Sequence, residues 1–234
     1  SKKHVFVEKP LCVNYDELQK IVQVYNGVAT ELPIVMMVGF NRRFSPLVQI
    51  MKRLLGPVKD PKALVMTVNA GKIPSEHWTQ DAEFGGGRII GEACHFIDLL
   101  RHLAGSPIER VQTMHLLEPV RGDGPPDTAT ISLSFKDGSI GTIHYFANGN
   151  KGFPKERLEV FCGGKILHLN NFIELTGFGW ERFTNEKLWS QDKGHNGCTK
   201  AFIQAIEEGK PSPIPFSDAV EVMEATLKSA GMTL

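Results

Sequence analysis

Two short stretches of this 234-residue chain combine side chains suited to acid–base chemistry with positions at which folds place ligands. The first contains Glu8, Lys9 and Pro10, directly after the apolar run His4–Val7, which we interpret as a buried strand. Most lysines are solvated surface groups, but the carboxyl end of a buried parallel strand is where open α/β sheets bind ligands. Because Pro10 restricts the local backbone, Lys9 is a candidate functional group.

The second stretch is a run of three glycines, residues 85–87, that leads into a predicted helix containing Glu92 and His95. Glycines let a ligand approach the backbone N–H groups at a helix start closely. Glu92 and His95 are three residues apart and therefore share a helix face. The imidazole of His95 suits acid–base chemistry near neutral pH. The alternative interpretation is a glycine turn followed by an amphipathic helix with one core histidine.

The spacing of Glu92 and His95 also allows a metal-dependent hydrolase as a hypothesis. Metal sites of helix bundles use two Glu-x-x-His copies with further carboxylates, whereas this stretch has one. The four cysteines form no Cys-x-x-Cys pair, which argues against a structural zinc site and a disulfide framework. We therefore expect no metal, and free thiols of this kind are typical of the cytoplasm.

Charge and hydropathy exclude further classes of protein. The chain has 26 Lys and Arg residues and 26 Asp and Glu residues, so its formal net charge is zero. Nucleic-acid-binding domains usually carry a basic excess. The longest apolar stretches, such as 34–38, are far shorter than the ~18 residues that a membrane-spanning helix needs. We expect a soluble, cytoplasmic protein that binds neither nucleic acid nor membrane.

A strand–helix–strand unit must position Lys9. Asn14, with Glu17 three residues later, forms a capping-box pattern, and Gly27 is the predicted end of this first helix. The apolar run 34–38 is the second strand. A βαβ unit of about 35 residues implies two parallel strands. A buried strand so near the first residue needs neighbours, so we expect the chain to be the C-terminal part of a longer protein.

After residue 40 the pattern indicates an α+β domain with an open, mainly antiparallel sheet and helices on one face. Helices are predicted after Pro46, from about Gly91 to Ala104, and over 199–208 and 218–230. The predicted strands are 64–69, 111–117, 128–135, 139–146, 158–162 and 165–169, with hairpin turns at 136–138 and 163–164. We therefore divide the chain into residues 1–40, a remnant of an α/β domain, and residues 41–234.

Taken in chain order, these motifs resemble the Gfo/Idh/MocA oxidoreductases. The motifs are Glu8-Lys9-Pro10-Leu11, Gly39-Phe40-Asn41-Arg42-Arg43-Phe44, Gly85-Gly86-Gly87 with His95 and Asp98, Phe202-Ile203-Gln204-Ala205-Ile206 and Gly209-Lys210-Pro211. The resemblance implies a two-domain enzyme that transfers hydride to or from a sugar or polyol. Its N-terminal Rossmann domain would bind NAD or NADP, and its C-terminal domain would bind the substrate.

Two departures from the family pattern matter. The chain has no Gly-x-Gly-x-x-Gly sequence, so residues 1–40 would be the end of a Rossmann domain whose pyrophosphate-binding part is missing. We expect the full-length parent to be an NAD(P)-dependent dehydrogenase and this part alone to be inactive. Many relatives carry Asp four residues before the histidine, where this chain has Gly91. Glu92 is the candidate substitute for that orienting acid.

The resemblance also suggests individual roles. His95 suits the catalytic base without adjustment of its pKa, and Lys9 is the second candidate, as base or as a group that orients the substrate hydroxyl. The predicted cofactor-binding residues are Glu8, Lys9 and Pro10, and the predicted substrate-binding residues are Asn41, Arg42, Trp78, Asp81 and Glu92. A solvated helix lead-in is the alternative for Arg42 and Arg43, and a core position is the alternative for Trp78.

The predicted sheet carries apolar residues on both faces, among them Met114, Leu116, Phe146 and Val160. Because helices would cover one face, the other is expected to form a homodimer or larger assembly. A monomer with the segment Phe172–Phe183 folded over that face is the alternative. A non-catalytic binding or assembly module with the same fold is the alternative function, and a dinucleotide-binding fingerprint upstream of residue 1 would distinguish the two.

Overall fold

The computed structural model of the chain describes residues 3–29, 34–74, 77, 79, 85–116 and 126–233. The strands are β1 (Val5–Val7), β2 (Met36–Val38), β3 (Ala63–Asn69), β4 (Ile108–His115), β5 (Ala129–Phe135), β6 (Ile140–Phe146), β7 (Glu156–Cys162), β8 (Lys165–Asn170), β9 (Glu174–Phe178) and β10 (Asn185–Lys187). The α-helices are α1 (Tyr15–Ala29), α2 (Pro46–Leu55), α3 (Cys94–Ala104), α4 (His195–Glu207) and α5 (Phe216–Ser229). Each helix in the described ranges is too short or too polar to cross a membrane.

The βαβ unit forms as the sequence predicts, with β1 and β2 paired in parallel. The Asn14 side chain accepts a hydrogen bond from the Glu17 backbone N–H at 2.8 Å, and the Glu17 carboxylate accepts one from Val13 at 3.0 Å. These contacts satisfy N–H groups at the start of α1. The predicted end at Gly27 is wrong, since α1 continues to Ala29. An interior glycine costs a helix about 1 kcal/mol without stopping it.

The remaining strands form one eight-stranded sheet in the order β10-β9-β8-β7-β3-β6-β5-β4. Its described pairings are antiparallel except that of β3 with β6, which is parallel. The mainly antiparallel sheet and both predicted hairpins, β5–β6 and β7–β8, are therefore confirmed. The sequence analysis missed β9 and β10, because neither strand shows the alternation of apolar and polar residues that identifies a half-buried strand.

One face of this sheet is buried and the other is open. Ile131 and Leu133 of β5 and Ile143 of β6 lie on the buried face, where α3 packs against β3 and β6, and α5 packs against β4. Val160, one of the apolar residues predicted for the two faces, is on the buried face, fully buried beside Leu158. The two residues are two apart on one strand and so share a face.

The open face carries a continuous row of apolar side chains, here called the apolar row. Cross-strand pairing aligns Phe178, Ile166, Phe161, Ala63 and Ile140 across five neighbouring strands. Ile140 and Phe178 are more than half exposed. Directly opposed side chains of neighbouring strands are in contact range, so the row is one surface feature rather than scattered residues.

Aromatic contacts attach the βαβ unit to the C-terminal helices. Phe6 of β1 packs edge to face against Phe202 of α4, with ring centroids 5.4 Å apart. Tyr25 of α1 stacks on Phe216 at the start of α5, with centroids 3.8 Å apart. Such aromatic pairs add to the gain from burial alone. These contacts fix where the carboxyl end of β1, and therefore Lys9, lies relative to the larger sheet.

Candidate active site

The carboxyl end of β1 and the start of α3 meet at a cavity of about 630 Å³. Five of the residues predicted for the site line it: Lys9, Pro10, Arg42, Glu92 and His95. Four charged or titratable residues that the sequence analysis did not identify also line it: Arg88, Lys155, Lys193 and His195. Residues that are far apart in the sequence thus form one concave, polar site.

Lys9 connects the two halves of the site. Its Nζ donates a hydrogen bond of 2.8 Å to the carbonyl oxygen of Gly91, and the following Lys9–Pro10 peptide bond is cis. Gly91 belongs to a π-helical turn, Ile89–Ala93, that precedes α3. Single π-helical turns are rare and are frequent at functional sites. The predicted helix from Gly91 therefore begins with an irregular turn, and this turn faces Lys9.

His95 lies in the first turn of α3 with 7% of its surface exposed. Its ring packs edge to face against Phe40, and its Nδ1 atom has no hydrogen-bond partner among the described residues. Burial, together with the positive charges of Arg42 and Lys9, holds the pKa of His95 well below its usual value. The expectation that His95 needs no adjustment is therefore wrong, and its imidazole is neutral at pH 7.

Glu92 faces cations rather than the histidine. Its Oε1 accepts a hydrogen bond of 3.1 Å from Arg88, and its Oε2 lies 3.6 Å from Lys155 Nζ. Burial raises the pKa of Glu92, but the positive charges of Lys155 and Arg88 outweigh it and the net pKa is lowered. Glu92 is therefore ionised, and in this structure it does not take the orienting role expected for it beside His95.

Arg88 binds Glu92 and fixes the part of the cavity wall to which Glu92 belongs. Its side chain is 2% exposed and donates a hydrogen bond of 2.6 Å to the carbonyl of Gly71. The guanidinium also lies 5.5 Å from the ring centroid of Tyr145 in β6, within the range of a cation–π contact. A buried arginine with this many fixed partners restricts the orientation of the Glu92 carboxylate.

Arg42 forms a buried ion-paired group with Glu156 and Lys193. Arg42 donates to both carboxylate oxygens of Glu156, at 2.9 and 3.0 Å, and Lys193 Nζ donates to the same carboxylate at 2.6 Å. Burial raises the pKa of Glu156, but Arg42 and Lys193 outweigh this and the net pKa is lowered. The alternative of a solvated lead-in is wrong for Arg42, which is buried, and for Arg43, which pairs with buried Asp98.

Asn41 does not line the cavity, but it contacts Lys193 and His195, which do. Its side-chain amide donates a hydrogen bond of 2.7 Å to the carbonyl of Lys193 and lies 3.3 Å from Nε2 of His195. Between them, Gly194 has φ of +82°, and a Cβ there would overlap the backbone of Asn41 and Ser45. The segment 193–195 therefore packs so closely on this turn that it requires glycine.

The remaining predicted site residues lie elsewhere. Glu8 is exposed and lies beside Gly39, outside the lining of the cavity. Trp78 and Asp81 lie outside the described residues. Cys94, next to His95, is fully buried, and burial raises the pKa of its thiol to about 12, which makes it a poor nucleophile. Among the described residues, no group of three His, Cys, Asp or Glu side chains is placed to hold a metal ion.

Comparison with known proteins agrees with the resemblance of the motifs. The sequence pattern of the GFO/IDH/MocA C-terminal domain matches residues 54–167. The chain is 25% identical to myo-inositol 2-dehydrogenase of Thermotoga maritima over 230 residues, which cover 93% of the chain and 66% of that enzyme. It therefore spans just under two thirds of the length of this relative. Its curated relatives include oxidoreductases.

Solved dehydrogenase structures share the fold. Levoglucosan dehydrogenase, in complex with NADH and L-sorbose, superimposes with a TM-score of 0.77 at 21% identity, covering 98% of this chain and 72% of that one. UDP-N-acetylglucosamine 3-dehydrogenase from Acidithiobacillus ferrooxidans gives a TM-score of 0.77 at 17% identity, covering 97% and 70%. At these identities the likeness establishes the architecture alone, and the activity has to be argued from the site.

Proposed function

We propose that this chain is the substrate-binding part of an NAD(P)-dependent oxidoreductase of the Gfo/Idh/MocA family that acts on a sugar or polyol. One observation carries the proposal: Lys9, from the end of a parallel strand, and His95, from the helix after the glycine run, line the same cavity. The names of the relatives, myo-inositol 2-dehydrogenase among them, support a polyhydroxylated substrate.

The topology supports the proposed domain division. Strands β1 and β2 form a parallel pair separate from the eight-stranded sheet. We propose that residues 1–40 are the last βαβ unit of a Rossmann domain and that residues 41–234 bind the substrate and mediate assembly. In this proposal most of the cofactor contacts lie in a preceding segment, because this chain has no glycine-rich pyrophosphate-binding sequence.

The residues at the end of β1 fit a nicotinamide cofactor. Lys9 and Pro10 line the cavity at the carboxyl end of a parallel strand, where dinucleotides bind in such sheets. These two residues would border the nicotinamide ring. When bound, the cofactor would accept hydride from the substrate carbon or donate hydride to it.

Proton transfer from the substrate hydroxyl is the task of this chain's own residues. The neutral imidazole of His95, which lines the cavity, can accept this proton. Lys9 Nζ and Arg42 stabilise negative charge that develops on the substrate oxygen. We therefore propose His95 as the base and Lys9 as the group that orients the hydroxyl.

The open sheet face is the proposed assembly surface. The apolar row crosses five strands, and Met114 on β4 is 72% exposed. Contiguous exposed apolar surface of this kind usually marks an interface. We propose a homodimer or larger assembly through this face, in a protein of the cytoplasm.

The function is tested on the full-length gene product. It is incubated with NAD or NADP and a panel of sugars and polyols that includes myo-inositol, and formation of the reduced nicotinamide is followed by absorbance. Turnover of at least one substrate supports the proposal. Binding of a sugar without turnover of any, or a preceding sequence that lacks a dinucleotide-binding fingerprint, would support the non-catalytic module instead.

A further inference from the structure

A second cavity of about 580 Å³ adjoins the first. Lys155 and Lys193 contribute to the lining of both. The second cavity is also lined by Lys151 and Lys187 and by the amide side chains of Asn170, Asn171 and Gln191. The proposed catalytic residues Lys9 and His95 belong to the first cavity, so the second one has no role in the mechanism above.

The two cavities concentrate positive charge in a chain whose formal net charge is zero. Seven Lys and Arg side chains line them, against the carboxylates of Glu92 and Glu174 in the lining and Glu156 behind it. In this set the cations therefore exceed the carboxylates by four. A cleft lined by one sign of charge attracts a ligand of the opposite sign.

Part of this excess lies on the side away from the catalytic residues. Glu156 binds both Arg42 and Lys193, and Glu92 binds both Arg88 and Lys155. In contrast, Lys151 and Lys187 have no ion-pair partner among the described residues, and both are exposed. Both lysines line the second cavity, where their ammonium groups can bind an anion.

We propose that the second cavity is a subsite for an anionic group, a phosphate or a carboxylate, attached to the substrate sugar. This inference rests on the proposed function, because it assigns the sugar ring to the first cavity. The substrate would extend between Lys155 and Lys193, the residues that both cavities share. Ammonium groups bind phosphate and carboxylate through charge-assisted hydrogen bonds, and selection of the substrate would depend on the free lysines beyond the ring.

The test is a calorimetric titration of the chain with glucose, glucuronate and glucose 6-phosphate at low and at high salt. The anionic sugars should bind at least about 10-fold more tightly than glucose, since one hydrogen bond to a charged group contributes roughly 1.5–3 kcal/mol. Added salt should weaken the binding of the anionic sugars and leave that of glucose unchanged. Comparison of glucuronate with glucose 6-phosphate identifies the preferred anion.

A double variant, Lys151→Gln with Lys187→Gln, locates the subsite. It should lose about 10–100-fold in affinity for the anionic sugar and keep its affinity for glucose. Lys136→Gln with Lys228→Gln is the matched control, because it removes two exposed lysines that line neither cavity. Equal binding of the three sugars, no detectable binding of any, or equal losses in the two double variants would overturn the inference.

Binding and turnover separate the two proposals. If anionic sugars bind at the lysines but the full-length protein oxidises none of the substrates, the subsite stands and the proposed function fails. If neutral polyols are oxidised and anionic sugars gain nothing from Lys151 and Lys187, the function stands and the subsite fails.

Discussion

The Lys9 ammonium and the Gly91 carbonyl, 82 residues apart in the sequence, are joined by a hydrogen bond of 2.8 Å. This contact ties the end of β1 to the π-helical turn before α3 and places Lys9 in the same cavity as His95. The group that faces Lys9 is thus the backbone carbonyl of Gly91. A carbonyl oxygen accepts hydrogen bonds but does not titrate, so proton transfer requires a titratable side chain of the cavity, for which His95 and Lys9 are proposed.

The first prediction concerns these two residues. In the full-length protein, His95→Ala should reduce kcat by about 10²–10⁴-fold, the usual contribution of a general base. Lys9→Met should reduce kcat strongly as well, because it removes a donor to the developing negative charge. Lys20→Met, on the exposed side of α1, is the control and should retain activity. A nearly normal rate for His95→Ala would assign the base to Lys9 or refute the site.

The second prediction concerns Gly194. Gly194→Ala should cost about 1–3 kcal/mol of stability more than Gly209→Ala, measured by urea unfolding. Both glycines have positive φ, but a Cβ at Gly194 would overlap the backbone of Asn41 and Ser45, whereas a Cβ at Gly209 would have no heavy atom within 4 Å. The comparison separates the cost of backbone conformation from that of the close approach. Equal losses would show that segment 193–195 is not packed as described.

The third prediction concerns the buried carboxylate of Glu156. Glu156→Gln should destabilise the fold by about 3–5 kcal/mol, because Arg42 and Lys193 would remain without their counter-charge. Glu159→Gln on the same strand removes a half-exposed ion pair with Arg157 and should cost no more than about 1 kcal/mol.

The pH dependence of the Glu156→Gln variant provides a second readout. The folded-state pKa of Glu156 is lowered, so its stabilising contribution is present above the unfolded pKa of about 4.3 and is lost as the pH falls through the folded value. The difference in stability between wild type and variant should therefore shrink in acid. A difference that stays constant from neutral to acidic pH would contradict the ion-pair assignment.

The fourth prediction concerns His102 near the end of α3. Burial, with the positive charges of Arg43, Lys52 and Arg101, lowers the pKa of His102 to about 3. The unfolded chain, with a pKa of about 6.5, therefore binds more protons than the folded chain between these values, and stability falls as the pH falls below about 6.5. From about pH 7 to about pH 5 this residue should account for up to about 2 kcal/mol of the loss.

Urea unfolding of wild type and His102→Gln at the two pH values measures this contribution. The variant should lose less stability than wild type between them, whatever its stability at neutral pH. His168→Gln, on the open sheet face, controls for the general effect of removing an imidazole. A variant with the same loss as wild type would refute the buried, neutral state of His102.

The fifth prediction concerns assembly. Light scattering should give a mass of at least twice 25.9 kDa, the mass of one chain. Ile140→Lys places a charge in the apolar row, at its β6 end, and should dissociate the assembly. Val24→Lys changes an exposed apolar residue of α1 instead and should not. A wild-type mass near that of a single chain would contradict the proposed interface.

Local signals in the sequence were sufficient for most elements. The cap formed by Asn14 and Glu17 and the hairpin turns at 136–138 and 163–164 involve neighbouring residues, so their chemistry can be read directly from the sequence. Ile131, Leu133 and Ile143 alternate with polar residues along their strands, and the structure places all three on the buried face. The face of Val160 could not be assigned from the sequence, because alternation defines two faces of a strand but does not say which face the helices cover.

By itself the sequence determined the βαβ unit, the mainly antiparallel sheet and the candidate residues Lys9, Arg42, Glu92 and His95. Only the tertiary structure brought Lys155 and Lys193 to these residues, because the start of β7 and the segment before α4 reach the cavity through packing that no sequence pattern records. It also decided the protonation state of His95, since a pKa depends on burial and on charges contributed by other elements. Spacing identified residues that could do chemistry, and long-range packing decided which of them meet and in what charge state.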